Sequence, residues 1–290
     1  MEKKDVWTIS SLLNWTVNYF KSKNIESARL EAEVLLSHIL GQERIYLYVH
    51  FDEPMEKAEL SKFREYVKKR AQHMPVAYII GEKEFMGLPF KVTPDTLIPR
   101  PDTEIIVENV LANADKQEAV KIADIGTGSG AIILSLLANL PKAQGKTVDI
   151  AAKAVEVAKE NAQSLQVADR CEFFVGDLFA PFAESGDKFD IIVSNPPYIP
   201  QADIATLEAD VRAYEPVSAL TDGGDGLSYY RRLLSEGKRY IKENGFIALE
   251  IGIYQAQAVK QIALDNGWQN IKIVKDYAGI DRVVLAWNVN

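Results

Sequence analysis

Asn195, Pro196, Pro197 and Tyr198 follow directly on the apolar run F-D-I-I-V-S at 189–194. A carboxamide, two prolines and a phenol at the end of a strand suit chemistry on a planar nitrogen. Such a nitrogen is a poor nucleophile, because its lone pair is delocalised into the neighbouring carbonyl or ring. The Asn195 side-chain oxygen and the Pro196 carbonyl can both accept N–H bonds from an NH2 group, orienting it and stabilising the positive charge that grows as it attacks a methyl group. Proline fixes φ and donates nothing, so these acceptors stay aimed. Tyr198 offers a flat wall to the planar group. A rigid Asn-Pro turn is the purely structural alternative, and it leaves the position at a carboxyl strand end without a reason.

A second constellation supplies the methyl donor. D-I-G-T-G-S-G at 124–130 precedes the helical A-I-I-L-S-L-L-A. Gly126, Gly128 and Gly130, with Thr127 and Ser129 between them, allow a tight turn, close approach of backbone to a ligand, and helix N–H groups aimed at an anion. Asp149 lies 23 residues beyond Gly126, at the end of the next strand, where a carboxylate can accept both ribose hydroxyl protons. Gly126, Gly128 and Ala131 also satisfy the dinucleotide fingerprint, so the glycines alone leave a nicotinamide cofactor equally open. S-adenosylmethionine uses the same turn for its methionine part and ribose. Asp177, in V-G-D-L-F, can accept from its adenine amino group with Leu178 flanking the ring. The structural alternatives are a helix cap for Asp177 and a brace bonded to the turn's N–H groups for Asp124.

The elements that must position these groups form an alternation of strands and helices from about residue 102. Strands are expected at 120–125, 147–150, 172–175, 189–194, 246–251, 271–274 and 282–287. This pattern implies an open, mainly parallel sheet covered on both faces, with ligands at the carboxyl strand ends. Before it, residues 1–75 read as a small helical domain. Ile9, Leu12, Leu13, Val17 and Phe20 mark one helix; Leu30, Val34 and Ile39 mark a second, between Ser27 and Gly41; Leu60, Phe63 and Val67 mark a third. Its basic end, Lys68 to Arg70, reads as a solvated face with favourable helix-dipole charge. Residues 76–98 suggest a β-hairpin linker, and 99–290 the larger α/β domain.

The chain has 290 residues and a formal charge of −8. Residues 1–75 carry 12 basic and 11 acidic side chains, leaving 21 and 30 for the remainder, so the acidity belongs to the larger domain. That balance opposes wrapping of duplex DNA, which needs clustered Lys and Arg. No apolar run reaches membrane-spanning length and residues 1–8 carry charge, so the expectation is a cytoplasmic protein without a membrane partner. Cys171 stands alone beside a strand and three histidines are scattered, which predicts no metal site and a core role for the thiol.

N-P-P-Y names the reaction better than the substrate, since adenine-N6 methyltransferases of DNA and RNA carry it too. Other stretches decide. P-V-A-Y-I-I-G-E-K-E-F at 75–85, L-I-P-R-P-D-T-E at 97–104, E-P at 215–216, D-G-L at 225–227, L-E-I-G at 249–252 and D-Y-A-G-I-D-R-V-V near the end closely resemble the HemK/PrmC family. These are N5-glutamine methyltransferases of peptide chain release factors, and the resemblance spans nearly the whole chain.

It implies a class I methyltransferase fold of the Rossmann-like α/β kind, with a mainly parallel seven-stranded sheet, S-adenosylmethionine as donor, and the glutamine of the release factors' Gly-Gly-Gln tip as target. By motif, Gly126 to Gly130, Asp149 and Leu178 would line the cofactor site. Asn195 would meet both cofactor and substrate, and Pro196, Pro197 and Tyr198 would hold the glutamine amide. Arg100 would shape the entrance or form an ion pair with Asp102 or Glu104. A monomer that docks its protein substrate through shape and the near-neutral helical domain, with no direct nucleic-acid partner, completes the expectation. Two departures stand out: Gly145 and Lys146 where the second strand is usually apolar, suggesting a short or poorly packed strand, and Ala151 where the family often has Ser. The competing classes are an adenine methyltransferase, a non-enzymatic cofactor-binding protein and, with only the glycines behind it, a nicotinamide oxidoreductase.

Overall fold

The computed structural model describes residues 6–114 and 118–289, so the first five residues of the charged N-terminus lie outside it. The chain divides into two compact units. One runs to Gly81 and adds Glu208–Tyr214; the other takes Glu82–Leu207 and Glu215–Asn290.

The first unit is helical: α1 (Ile9–Ser22), α2 (Ala28–Leu40), α3 (Tyr46–Val49), α4 (Lys57–Ala71) and α5 (Val76–Ile80), joined later in the chain by α9 (Ala209–Tyr214). Thr8 and Ser11 form a reciprocal cap that starts α1, and Gly41 ends α2 in the left-handed region at φ 63°. α1 buries Ile9, Leu12, Leu13 and Phe20. In α2 the expected stripe is not the buried one: Leu30 is exposed, and Ala28, Ala32, Leu35 and Leu36 face the core. Two small alanines allow close helix approach, a packing effect that a count of large apolar residues overlooks. The basic end of α4 splits: Lys68 and Lys69 are exposed, while Arg70 is buried with Nε 2.6 Å from Glu31 Oε2. The segment V-A-Y-I-I is the helical α5, not part of a hairpin.

The second unit begins with the hairpin itself, β1 (Glu82–Phe85) and β2 (Leu88–Lys91). It continues through α6 (Glu104–Asn113), β3 (Lys121–Ile125), α7 (Ala131–Asn139), β4 (Gln144–Asp149), α8 (Ala152–Ser164), β5 (Cys171–Val175) and β6 (Phe189–Ser194). After α9 follow α10 (Ser228–Gly237), β7 (Ile241–Glu250), α11 (Ala256–Asp265), β8 (Gln269–Lys275) and β9 (Asp281–Trp287). Seven strands form one sheet in the order β5-β4-β3-β6-β7-β9-β8, parallel except for β9, which is antiparallel to both β7 and β8. This is the class I methyltransferase arrangement that the sequence resemblance implied.

Residues alternate across the sheet. Ile122, Ile191 and Val193 pack with Ile106, Val110, Ile133 and Leu137 on one face; Ala123, Ile125 and Ile192 pack with Leu233, Leu234 and Trp268 on the other. β4 is neither short nor loose. It starts at Gln144, and Gly145 lies where a Cβ would come 2.9 Å from Ile133 Cδ1, so the missing side chain lets α7 settle onto the strand. Lys146 bonds Asp187 at 3.0 Å. Cys171 is buried in the first of these clusters, and burial raises its thiol pKa far above the usual range.

Candidate functional site

The order reverses between β3 and β6, and there the carboxyl ends of neighbouring strands diverge to open a crevice. A cavity occupies it, lined by the glycine turn (Gly126, Thr127, Gly128, Ser129), by Asp149 and Ile150 after β4, by Asp177 and Leu178 after β5, and by Asn195, Pro196 and Pro197 after β6. The two constellations read from sequence therefore meet.

The turn is built mainly from backbone. Gly126, Gly128 and Gly130 have φ of 92°, 53° and 82°. The Gly126 and Thr127 N–H groups both donate to the Val148 carbonyl, at 2.9 and 3.1 Å, and the Gly130 N–H to the Thr127 carbonyl at 2.8 Å. At Gly130 a Cβ would lie 2.8 Å from Leu134 Cδ1 and 3.2 Å from Ala158 Cβ, so no side chain fits where α7 starts. Asn161 of α8, 2% exposed, donates to the Ser129 carbonyl at 2.8 Å and exchanges bonds with the Lys91 backbone, tying the hairpin to the turn.

Asp149 holds this loop as well as lining the cavity. Its Oδ2 accepts from the Gly128 N–H at 2.8 Å and its Oδ1 from the Ala151 N–H at 2.9 Å, so Ala151 needs no side-chain oxygen. Burial raises its pKa against the pull of these bonds. Asp124 is fully buried, as the structural alternative had it, but it is not bonded to the turn's N–H groups. Its Oδ2 takes the Thr147 hydroxyl at 3.1 Å and its Oδ1 has no partner. Burial pushes its pKa up to about 8, making it a neutral acid at pH 7.

After β6 the side chains take over. Ser194 Oγ donates to the Ile125 carbonyl at 2.5 Å, joining the ends of β6 and β3. Asn195 Nδ2 donates to the Thr103 hydroxyl at 3.2 Å. Tyr198 is not among the cavity-lining residues: its ring packs into the second core cluster, its hydroxyl donates to Glu250 Oε1 at 3.2 Å, and burial raises its pKa. The Tyr198 carbonyl accepts from Gln255 Nε2 at 2.9 Å. It also lies 2.3 Å from where a Gly226 Cβ would stand, which explains the glycine of D-G-L, held at φ 77°.

Arg100 does not line the cavity either, and its partner is neither Asp102 nor Glu104. It forms an ion pair with Glu215, the buried acid of E-P 115 residues away, which also accepts from the Ile98 N–H at 3.3 Å. Asp177 lines the cavity, but Arg232 of α10 grips both its oxygens at 3.0 and 2.9 Å. The sequence reading missed Thr103, Ile150 and Pro99 as lining residues. Ile150 carries a usable signal: an isoleucine one position beyond the last paired residue of β4, 67% exposed, is an apolar side chain held at the cavity for a ligand to cover. Among the described residues no group of three or more His, Cys, Asp and Glu is placed to hold a metal ion, and no helix is long and apolar enough to cross a membrane.

Comparison with known proteins adds independent findings. Residues 11–81 match the PrmC N-terminal domain and residues 101–227 the methyltransferase small domain. The chain is 44% identical over 283 residues to the release factor glutamine methyltransferase of Geobacter sulfurreducens, with 98% of each chain covered. It is 39% identical over 284 residues to that of Bacillus subtilis, covering 96% of this chain and 97% of the relative. A methyltransferase crystal structure from Pyrococcus furiosus superposes with a TM-score of 0.54 at 16% identity, over 81% of this chain and 100% of that one, a likeness of fold.

Proposed function

The chain belongs to the release factor glutamine methyltransferase family, and from that premise we propose that it methylates the side-chain amide nitrogen of the glutamine in the Gly-Gly-Gln motif of class 1 peptide chain release factors, using S-adenosylmethionine, in support of translation termination. The observation that carries this reading is the convergence of Asn195 and Pro196 with the glycine turn and Asp149 on one cavity.

The residues fit the donor. Gly126 to Ser129 bring backbone to the cavity wall, the Asp149 carboxylate keeps acceptor capacity for ribose hydroxyls, and Ile150 and Leu178 offer apolar faces to an adenine ring. Bound there, the sulfonium supplies a methyl group whose C–S bond breaks as the N–C bond to the glutamine forms. Asn195 and Pro196 hold the two N–H groups of the amide, the Asn195 carboxamide oxygen and the Pro196 carbonyl each accepting one. That bonding aims the nitrogen and stabilises the charge developing on it. The methylated nitrogen is acidic enough to release its proton to water, so positioning does most of the work and no strong base is needed. Tyr198 serves this arrangement from behind, by fixing the loop, rather than as a face of the cavity. Asp177, paired with Arg232, still offers free lone pairs to an adenine amino group. The protein acts in the cytoplasm as a monomer, on a protein substrate and without metal.

Labelled S-adenosylmethionine, offered with a release factor, its Gly-Gly-Ala variant or nucleic acid, tests the reading. Mass spectrometry should place the label on the glutamine alone. Label on nucleic acid, or on a factor lacking that glutamine, sinks it.

A further inference from the structure

The turn that follows β7 carries an exposed tyrosine in a conformation that bulky side chains rarely adopt. The Gln255 N–H donates to the Gly252 carbonyl at 3.1 Å, closing a tight turn with Ile253 and Tyr254 at its centre. Tyr254 stands at φ 72°, in the position where such a turn favours glycine. Its side chain is 98% exposed, and Ile253 beside it is 49% exposed. Folding alone explains neither choice, since glycine would take this φ without strain and neither side chain is buried. The turn is nevertheless fixed against the N-P-P-Y loop. The Gly252 N–H donates to Gln255 Oε1 at 2.9 Å, Gln255 Nε2 donates to the Tyr198 carbonyl at 2.9 Å, and a Cβ on Gly252 would lie 3.0 Å from Tyr198 Cδ2.

A second exposed tyrosine stands further along the same edge of the sheet. β8 is antiparallel to β9 and β9 to β7, so the turn between β8 and β9 lies at the carboxyl edge, with the ends of β6 and β7. Tyr277 sits in that turn, 87% exposed, its hydroxyl 2.9 Å from both Glu108 carboxyl oxygens. Asp276 Oδ1 accepts from the Ala278 and Ile280 N–H groups at 2.9 and 3.0 Å, so the turn is braced before a partner arrives. Neighbouring strands lie about 4.8 Å apart, which sets Tyr254 about 5 Å and Tyr277 about 10 to 14 Å along the edge from the end of β6. A glutamine whose amide reaches Asn195 and Pro196 leaves its backbone at the cavity rim, and the chain on one side of it then crosses both turns. We propose that Ile253, Tyr254 and Tyr277 form a docking edge for the extended polypeptide that flanks the target glutamine. At about 3.3 Å per residue, Tyr254 meets that polypeptide about one or two residues from the glutamine and Tyr277 about three or four. The substrate chain is the occupant because the edge is continuous with the cavity, through the bonds that tie the β7 turn to the Tyr198 backbone. This rests on the glutamine-amide reading above.

Binding of the intact release factor tests the edge. Calorimetry in the presence of S-adenosylhomocysteine should find Tyr254→Gly weaker for the factor by about 5- to 30-fold, the worth of one aromatic anchor. Tyr277→Ala should lose about 3- to 10-fold, and the double variant close to the product, since the two rings stand on separate turns. Tyr254→Phe, which keeps the ring, should bind as the wild type does. In turnover the loss should fall on KM, with kcat within about twofold. The unfolding midpoint and S-adenosylhomocysteine affinity of Tyr254→Gly should not fall, because glycine takes this φ freely. Wild-type affinity for the factor in either single variant, a Tyr254→Phe variant as weak as Tyr254→Gly, or a loss matched by lower stability or cofactor affinity would each overturn the proposal. A wild type that binds the factor but leaves its glutamine unmethylated defeats the earlier reading instead, and the affinities still judge the edge. A wild type that does not bind the factor defeats both.

Discussion

The glycine turn after β3 and the N-P-P-Y loop after β6 face each other across one cavity, yet they are held by opposite means. The turn is closed by backbone bonds to Val148 and within itself, by glycine φ angles, and by Asp149 one strand away. The N-P-P-Y loop has prolines for stiffness, but its aim comes from side chains remote in sequence: Thr103, Glu250 and Gln255. A loop closed by its own backbone can be written locally. A loop held through its side chains needs hydrogen-bond partners, and here these come from other segments.

Substitutions can break this contrast in order of expected effect. Asn195→Ala removes an acceptor at the developing charge and should lower kcat about 10²- to 10³-fold, while calorimetry finds cofactor affinity within about tenfold. Affinity lost outright in a folded variant would make Asn195 a cofactor anchor and erase the distinction between the loops. Gly130→Ala attacks the other side. With φ at 82° and Leu134 Cδ1 in the way, it should cost about 1 to 3 kcal/mol in denaturant unfolding, together with weaker cofactor binding; an unchanged midpoint would show that the turn does not depend on backbone shape.

Asp124→Asn, away from the cavity lining, should have the mildest effect on activity and show itself in the pH dependence of stability. The folded acid has its pKa raised from 3.8 to about 8, so the native state holds a proton that the unfolded chain has released. That contribution is complete below about pH 4 and is lost as pH rises toward 8. The variant lacks this loss, which amounts to about 3 to 4 kcal/mol between pH 5 and pH 8, so its melting temperature relative to wild type should climb by about 10 °C over that range. A difference that stays flat over that range would mean that Asp124 is ionised and paired.

The composition of this site was legible to very different depths. Glycines at fixed spacing, an acid at the end of the next strand and N-P-P-Y at the end of the fourth are local patterns, and all of them reach the cavity except Gly130, which sits behind the turn, and Tyr198. The seven strands were found because each is a short apolar run between turn residues, with β4 starting earlier than its polar residues suggested. The buried stripe of α2 was misread because alanine carries little hydrophobic signal but permits the nearest approach.

The sequence alone determined the class of fold, the glycine turn after the first strand of the sheet domain and the place of N-P-P-Y at a strand end, because each depends on residue types within a few positions of one another. Tertiary structure decided the partners: Arg100 with Glu215 rather than its acidic neighbours, Asp177 with Arg232, Tyr198 with Glu250, and Asn195 with Thr103. In each pair the two residues lie more than 50 positions apart in the chain. Their meeting is set by the order in which the sheet lays its strands side by side, a property that no window of sequence contains.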